Sequence, residues 1–398
     1  MSDMPAILGG EPIFSERKNI VRPVLPDFTD LSGEVQDMLH TGMVTKGRYL
    51  EQFESEIAAH LGVKHAVGVS SCTTGLMLTY HGLGLTGEVV VPSFTFMATV
   101  SALIWCGLRP VFADVDPGTT NLDPAAAEAA ITENTSAIIA VHNFGNPADI
   151  EGLQEVANRH GLKLIFDAAH GFGALHRGQP VGAQADAQIY SLSPTKLLIA
   201  AEGGIVATNN DELAQSVRLG REYGNNGHYD SAFAGFNARM PEFNALLGIH
   251  SLKKLERAAV TRNETAALYQ ETLGRLPGIG FQTVRPGDRC SYKDFSITVD
   301  ASAFGLTRDE LARALQAEGI DSRAYYDPPV HRQTAYQQYW DGRPLPNTDW
   351  LASSSLSLPL WSEMDPQISL GIAEAFRRIY TYAEQIRGGL QVKQPDNS

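Results

Sequence analysis

Between His65 and Asp167 the chain alternates short apolar runs with helical patterns, and this rhythm limits the fold more than any other feature. The runs are His65–Ser70, Val89–Pro92, Pro110–Val115, Ser136–His142 and Lys163–Asp167. They are short, rich in Val and Ile, and each predicts a strand. The segments between them, Thr74–Leu83, Ala98–Cys106, Pro124–Ile131 and Ile150–His160, predict helices. A strand that is apolar throughout must be covered on both faces, and a helix after every strand covers it. The expected fold is therefore α/β, a mainly parallel sheet between helix layers.

Past Gly182 the pattern changes. Gln188–Leu192 and Gly204–Thr208 read as further strands, and Pro241 to about Leu273 as a long helix. A smaller α+β unit follows, with strands at Phe295–Val299 and Asp321–Tyr326 and a helix at Arg308–Ala317. Thr307 and Glu310 have the capping-box spacing at that helix start. Before the sheet, Leu31–Leu39 and Leu50–Leu61 predict two helices. With 398 residues, 43% of them apolar, the chain can fill more than one core. The expected division is an N-terminal arm across the surface at 1–30, a large unit at 31–264 and a small unit at 265–398.

A net charge of -14 argues against a nucleic-acid partner. Three cysteines, none closely paired, predict no disulfide framework and no Cys-rich metal site, and a reducing compartment suits them. The first residues lack a signal-type pattern, and the most apolar stretch, Ala98–Cys106, is too short to span a bilayer. The cytoplasm is the expected location, with no membrane partner.

In open parallel sheets, ligands sit beyond the carboxyl ends of the strands. Asp167 ends a predicted strand there, in FDAAH, either as a helix cap or as a functional carboxylate. Downstream, YSLSPTK presents Lys196 beside Leu197, Leu198 and Ile199. A lone lysine is usually a solvated surface charge. Apolar neighbours change that, because desolvation favours the neutral amine, which can attack a carbonyl. Pyridoxal phosphate needs such an amine and an acid partner for its ring nitrogen, and Lys196 and Asp167 supply both. SSCTTGL, Ser70–Leu76, links a strand to a helix and can offer amides and the Thr73 hydroxyl to a phosphate, though capping alone explains it as well. Phe96, just after the second strand, reads as a core residue or as a cover for the ring.

Together these motifs resemble the nucleotide-sugar aminotransferases of the DegT/DnrJ/StrS family. The resemblance runs nearly end to end, through TKGRYLEQFE, SSCTTGL, VVVPSFTFMAT, GLRPVFADVD, FDAAHGFGA, SLSPTK with EGG, GFNARMPEFNALLG, RAYYDPPVHRQ and SLSLPL. It implies the aspartate-aminotransferase fold (fold type I), with a seven-stranded type of sheet and a smaller C-terminal domain. It also implies Lys196 as the Schiff-base lysine and Asp167 as partner of the ring nitrogen. His170 would lie beside the ring oxygen, where many relatives carry Gln, and Phe96 would stack on the ring. Thr73 and Ser191 would hold the phosphate, with Asn237 reaching the other subunit's phosphate in a homodimer. Cys72 departs from the family's usual glycine, and its side chain could change how closely that turn approaches the phosphate. Lys46, Arg239, Tyr325 and His331 fall in substrate-side segments.

The implied reaction moves an amine from an amino-acid donor, glutamate, to a nucleotide-linked keto-sugar, a dTDP-4-keto-6-deoxyhexose. Amination at C3, or of a keto-cyclitol, is the runner-up, and LGGEP at Leu8–Pro12 resembles some cyclitol enzymes. Sugar dehydratases of the same fold replace the lysine with histidine. A non-catalytic regulatory member would be expected to lack Lys196 or Asp167, and both are present.

Overall fold

The computed structural model describes residues 3–392. Its main sheet contains β1 (His65–Val69), β2 (Glu88–Pro92), β3 (Arg109–Ala113), β4 (Thr135–Val141) and β5 (Lys163–Asp167). A small hairpin, β6 (Leu175–His176) with β7 (Gln179–Pro180), precedes the last two strands of the sheet, β8 (Ala187–Ser191) and β9 (Gly204–Thr208). The order is β1-β9-β8-β5-β4-β2-β3. β3, β2, β4, β5 and β8 run parallel, and β9 lies antiparallel between β8 and β1. The predicted mainly parallel sheet is therefore present, with one reversed strand.

Burial follows the sequence pattern. Leu164, Ile165 and Phe166 of β5 are fully buried, as are Ile138, Ile139 and Ala140 of β4. Removing each large side chain from water contributes about 1.5–3 kcal/mol. The covering helices are α1 (Ser32–Thr41), α2 (Arg48–Leu61), α3 (Cys72–Gly82), α4 (Ala98–Trp105), α5 (Pro124–Ala129), α6 (Ile150–His160) and α7 (Asp211–Gly220). α8 (Glu242–Leu273) has 32 residues and serves two cores. Ala245, Leu246, Ile249, Leu255 and Ala259 pack with the large unit; Ala266, Tyr269 and Leu273 pack with the C-terminal one. Its first residue also fixes α2: buried Glu242 accepts the amides of Gly47, Tyr49 and Leu50 at 2.9–3.0 Å. A Cβ at Gly47 would come within 2.7 Å of that carboxylate, which explains the glycine of TKG.

The C-terminal sheet is β10 (Ile279–Phe281), β11 (Phe295–Val299) and β12 (Ser355–Leu358), all antiparallel. The capping box of Thr307 and Glu310 is formed. Two expectations need correction. Asp321–Tyr326 is not a strand: only Arg323 pairs, as one bridge to Ser357, because the chain turns where Asp327 donates back to Ala324. The third strand is instead the SLSL segment. The N-terminal arm does more than cross the surface. Ile7, Leu8, Ile13 and Phe14 pack on the C-terminal core, and Glu318 accepts the amides of Ala6 and Ile13. Among the described residues no helix is long and apolar enough to cross a membrane, and no metal-binding cluster is present.

Candidate active site

The carboxyl ends of β5 and β8, the start of α3, the loop after β2 and the turn before Lys196 converge on one cavity of about 400 Å³. Asp167 closes β5 and is 5% exposed. Its Oδ2 accepts from Thr99 Oγ1 at 2.7 Å and its Oδ1 from the Ala169 amide at 3.1 Å. Burial pushes the carboxyl up, and these donors pull it back toward the charged form. Lys196 lines the same cavity, followed by the buried Leu197, Leu198 and Ile199. Burial, then the charge of Lys293, brings its amine down to about 8, so much of it is neutral in mildly alkaline solution.

An anion cradle completes the set. Ser71 Oγ accepts from the Thr74 amide, and Thr74 Oγ1 accepts from the Ser71 amide, both at 3.1 Å. Among the described residues no hydrogen bond is made by the Cys72 and Thr73 amides at the head of α3, where the helix dipole favours an anion. Gly204 lets β9 press against this turn, since a Cβ there would fall 2.6 Å from the Cys72 nitrogen. The Thr73 and Ser191 side chains line the cavity beside it. Cys72 lines the cavity as well. Its Sγ lies 3.8 Å from Asp167 Oδ1 and 3.6 Å from the Ile189 carbonyl, and burial keeps it a thiol. His170 is buried and held neutral by that burial, with no partner at Nδ1. Phe96 lines the cavity while 53% exposed. An amine, a carboxylate, an unpaired imidazole nitrogen and an amide cradle on one cavity fit pyridoxal phosphate.

Of the residues singled out from sequence, the cavity thus gathers Lys196, Asp167, His170, Phe96, Cys72, Thr73, Ser191 and Tyr325. Lys46 and Arg239 meet elsewhere, both on Glu222, at 2.9 and 3.0 Å. Asn237 is exposed, pairing with Glu222 through one backbone bridge. His331 is fully buried outside the cavity, its Nδ1 2.7 Å from Ser93 Oγ, its Nε2 3.5 Å from Asp349 and its ring against Trp340.

Three groups escaped the sequence reading. Thr99 holds Asp167; its signal was a hydroxyl in the PSFTFMAT motif, three residues past Phe96 at the start of α4. Lys293 and Asp294 form a buried ion pair at 2.8 Å on the cavity wall. Two adjacent charges abutting an apolar strand were the visible hint.

The family model for the DegT/DnrJ/EryC1/StrS aminotransferase family matches residues 29–377. A dTDP-3-amino-3,4,6-trideoxy-alpha-D-glucose transaminase of Streptomyces venezuelae is 36% identical, over 88% of this chain and 91% of its own. The spore coat polysaccharide biosynthesis protein SpsC of Bacillus subtilis is 34% identical, over 88% and 94%. The crystal structure of DesI in the presence of its TDP-sugar product superposes with a TM-score of 0.92 at 36% identity, covering 98% of this chain and 99% of that one. With the lysine, the carboxylate and the cradle in place, the chain belongs to the DegT/DnrJ/EryC1/StrS aminotransferase family, as a pyridoxal-phosphate-dependent sugar aminotransferase.

Proposed function

We propose that this enzyme moves the amine of glutamate onto a dTDP-linked 4-keto-6-deoxyhexose, giving a 4-amino-4,6-dideoxy sugar. The observation that carries the nucleotide-linked acceptor is the near end-to-end match to DesI with its TDP-sugar product. Amination at C4 also suits a half-buried lysine, because C4 lies across the ring from the anomeric diphosphate. The carbonyl can then reach inward while the charged end stays nearer solvent. Amination at C3 is the second reading, favoured by the 36% identity to the 3-amino-sugar transaminase. The free state of all three cysteines suits the cytoplasm.

Pyridoxal phosphate, when bound, supplies a carbonyl for the amine and a ring that withdraws electrons from the reacting carbon. Asp167 keeps a proton on the ring nitrogen, and Thr99 and Ala169 hold that carboxylate in position. Thr73, Ser191 and the head of α3 would hold the phosphate, Phe96 would cover the ring, and His170 would stand near its oxygen. Cys72 packs below, against Asp167. Lys196 would hold the cofactor through its amine, and its Nζ, when free, would be the group placed to move a proton at the reacting carbon. Tyr325 stands on the acceptor side of the cavity.

The site is shared within a homodimer in this reading. Phe96 at the cavity and Tyr223, Tyr229 and Phe236 on the segment leading to Asn237 are exposed aromatics that a second copy would cover. Asn237 then reaches the partner's phosphate, and Lys46 and Arg239 approach the acceptor from the same segment.

The acceptor is tested by following amine transfer from glutamate to dTDP-4-keto and dTDP-3-keto sugars, the same sugars without the nucleotide, and keto-cyclitols. The expected result is turnover of the dTDP-4-keto-6-deoxyhexose and a sharp loss when the nucleotide is removed, because remote binding energy positions the carbonyl. A bare cyclitol outperforming every nucleotide sugar would overturn the acceptor and leave the aminotransferase.

A further inference from the structure

The active-site cavity has to serve two substrates in turn. An amino-acid donor carries a carboxylate on the same carbon that reacts, whereas a keto-sugar presents an uncharged ring there. Among the described residues lining the cavity, the lysines and arginines are Lys196 and Lys293 alone, and Lys196 is reserved for the cofactor. Lys293 is the cation left to meet the donor.

Lys293 and Asp294 are 8% and 7% exposed, and Nζ lies 2.9 and 2.8 Å from the two Asp294 oxygens. A buried ion pair is seldom a gain over apolar packing, so stability alone does not account for one on a cavity wall. An ammonium has three donors, and among the described residues this one bonds only to Asp294. Successive side chains of a strand alternate between faces, yet these two neighbours, just ahead of β11, line one cavity. The backbone that presents them is pinned. The Lys293 amide donates to the Phe144 carbonyl at 2.9 Å, and the buried Arg262 guanidinium donates to the Tyr292 and Lys293 carbonyls at 2.9 and 3.0 Å. Tyr292 itself, at φ 46°, is in the left-handed region that residues other than glycine seldom adopt. The Lys293 charge is felt across the cavity: after burial, it is the next influence that lowers the Lys196 amine.

We propose that Lys293 binds the α-carboxylate of the amino donor, and that Asp294 is its built-in counter-ion for the half-reaction in which no carboxylate is present. The proposal rests on the reading of the donor as an amino acid. With the donor bound, the ammonium keeps Asp294 and gives its remaining N–H to the donor's carboxylate as a charge-assisted bond. With the keto-sugar bound, Asp294 alone balances the ammonium, so no unpaired buried charge faces the sugar ring. One cavity can thereby accept a charged and an uncharged partner at the same reacting carbon.

The test follows the donor half-reaction of cofactor-loaded enzyme by cofactor absorbance, with glutamate as the probe, and separates apparent affinity from the rate at saturation. Lys293→Gln alone would strand the Asp294 charge, so the informative variant is Lys293→Gln/Asp294→Asn, which keeps the side-chain sizes and removes both charges. Its glutamate affinity should fall about tenfold or more. Transfer from enzyme loaded with amine by excess glutamate to the best acceptor of the panel above should match wild type, a readout that a structural role would move. Asp294→Asn alone should act in the opposite sense, binding glutamate more tightly than wild type and slowing transfer to the acceptor. A double variant that retains glutamate affinity would overturn the assignment and leave the amino-acid donor intact. Equal losses in both half-reactions would reduce the pair to a structural element and overturn it as well. Asp294→Asn protein that binds glutamate more weakly would overturn the counter-ion role. Wild type whose absorbance responds to none of glutamate, glutamine, aspartate and alanine would overturn the donor reading, and the proposal with it.

Discussion

At Asp167 both carboxylate oxygens are bonded in advance, to Thr99 at 2.7 Å and Ala169 at 3.1 Å, whereas the exposed side chains of Arg22, Lys254 and Arg257, which line a second cavity, make no hydrogen bond or ion pair among the described residues. The two regions differ in how far their charges are ordered in advance. A cofactor that stays through many turnovers is best met by groups already oriented and desolvated, because their ordering cost is met during folding. A charged acceptor that enters and leaves is met at low cost by side chains that remain solvated until it arrives.

The largest effect is expected where the preorganised side is broken. Asp167→Asn keeps the shape but removes the charge facing the ring nitrogen, so turnover should fall almost completely while the fold persists. Losing one charge-assisted bond should also weaken cofactor binding by about 1.5–3 kcal/mol. Absorbance titration of cofactor-free protein measures this directly. Near-normal turnover and cofactor affinity would reduce Asp167 to a helix cap.

A smaller effect is expected from crossing the subunits. Lys196→Ala protein, inactive alone, is mixed with an Asn237→Ala variant under conditions that allow exchange. Shared sites should return activity, since each heterodimer regains one site with Lys196 from one chain and Asn237 from the other. Verified heterodimers without recovered activity would place each site within one chain.

The same contrast explains what could be read before the structure was known. The sheet was legible because each strand is a continuous apolar run, and the cofactor side because its groups sit in contiguous motifs at strand ends: SSCTTGL, FDAAH and SPTK. Cys72 illustrates the limit even there. The motif locates it in the turn, but only the backbone course sends its sulfur inward to Asp167 instead of toward the cradle. The acceptor side was harder, because its groups are far apart in sequence and each looks like an ordinary surface or packing residue. His331 was chosen for its motif, and its burial against Ser93 and Trp340, outside the cavity, could not be read from that motif. Asp321–Tyr326 failed as a strand for a related reason: its pattern allows pairing, but the turn at Ala324–Asp327 leaves room for one bridge.

The most direct test of the central claim separates the two lysines of the cavity, Lys196 and Lys293. Cofactor-free protein is incubated briefly with pyridoxal phosphate across a pH series, reduced with borohydride and mapped by peptide mass. The account predicts an adduct on Lys196 whose initial yield rises with a midpoint near pH 8, because desolvation frees that amine well below the ordinary lysine range. Lys293, held by Asp294 at 2.8 Å, should remain unlabelled. An adduct on Lys293, or one on Lys196 whose yield rises only near pH ~10 as for a solvated lysine, would contradict it.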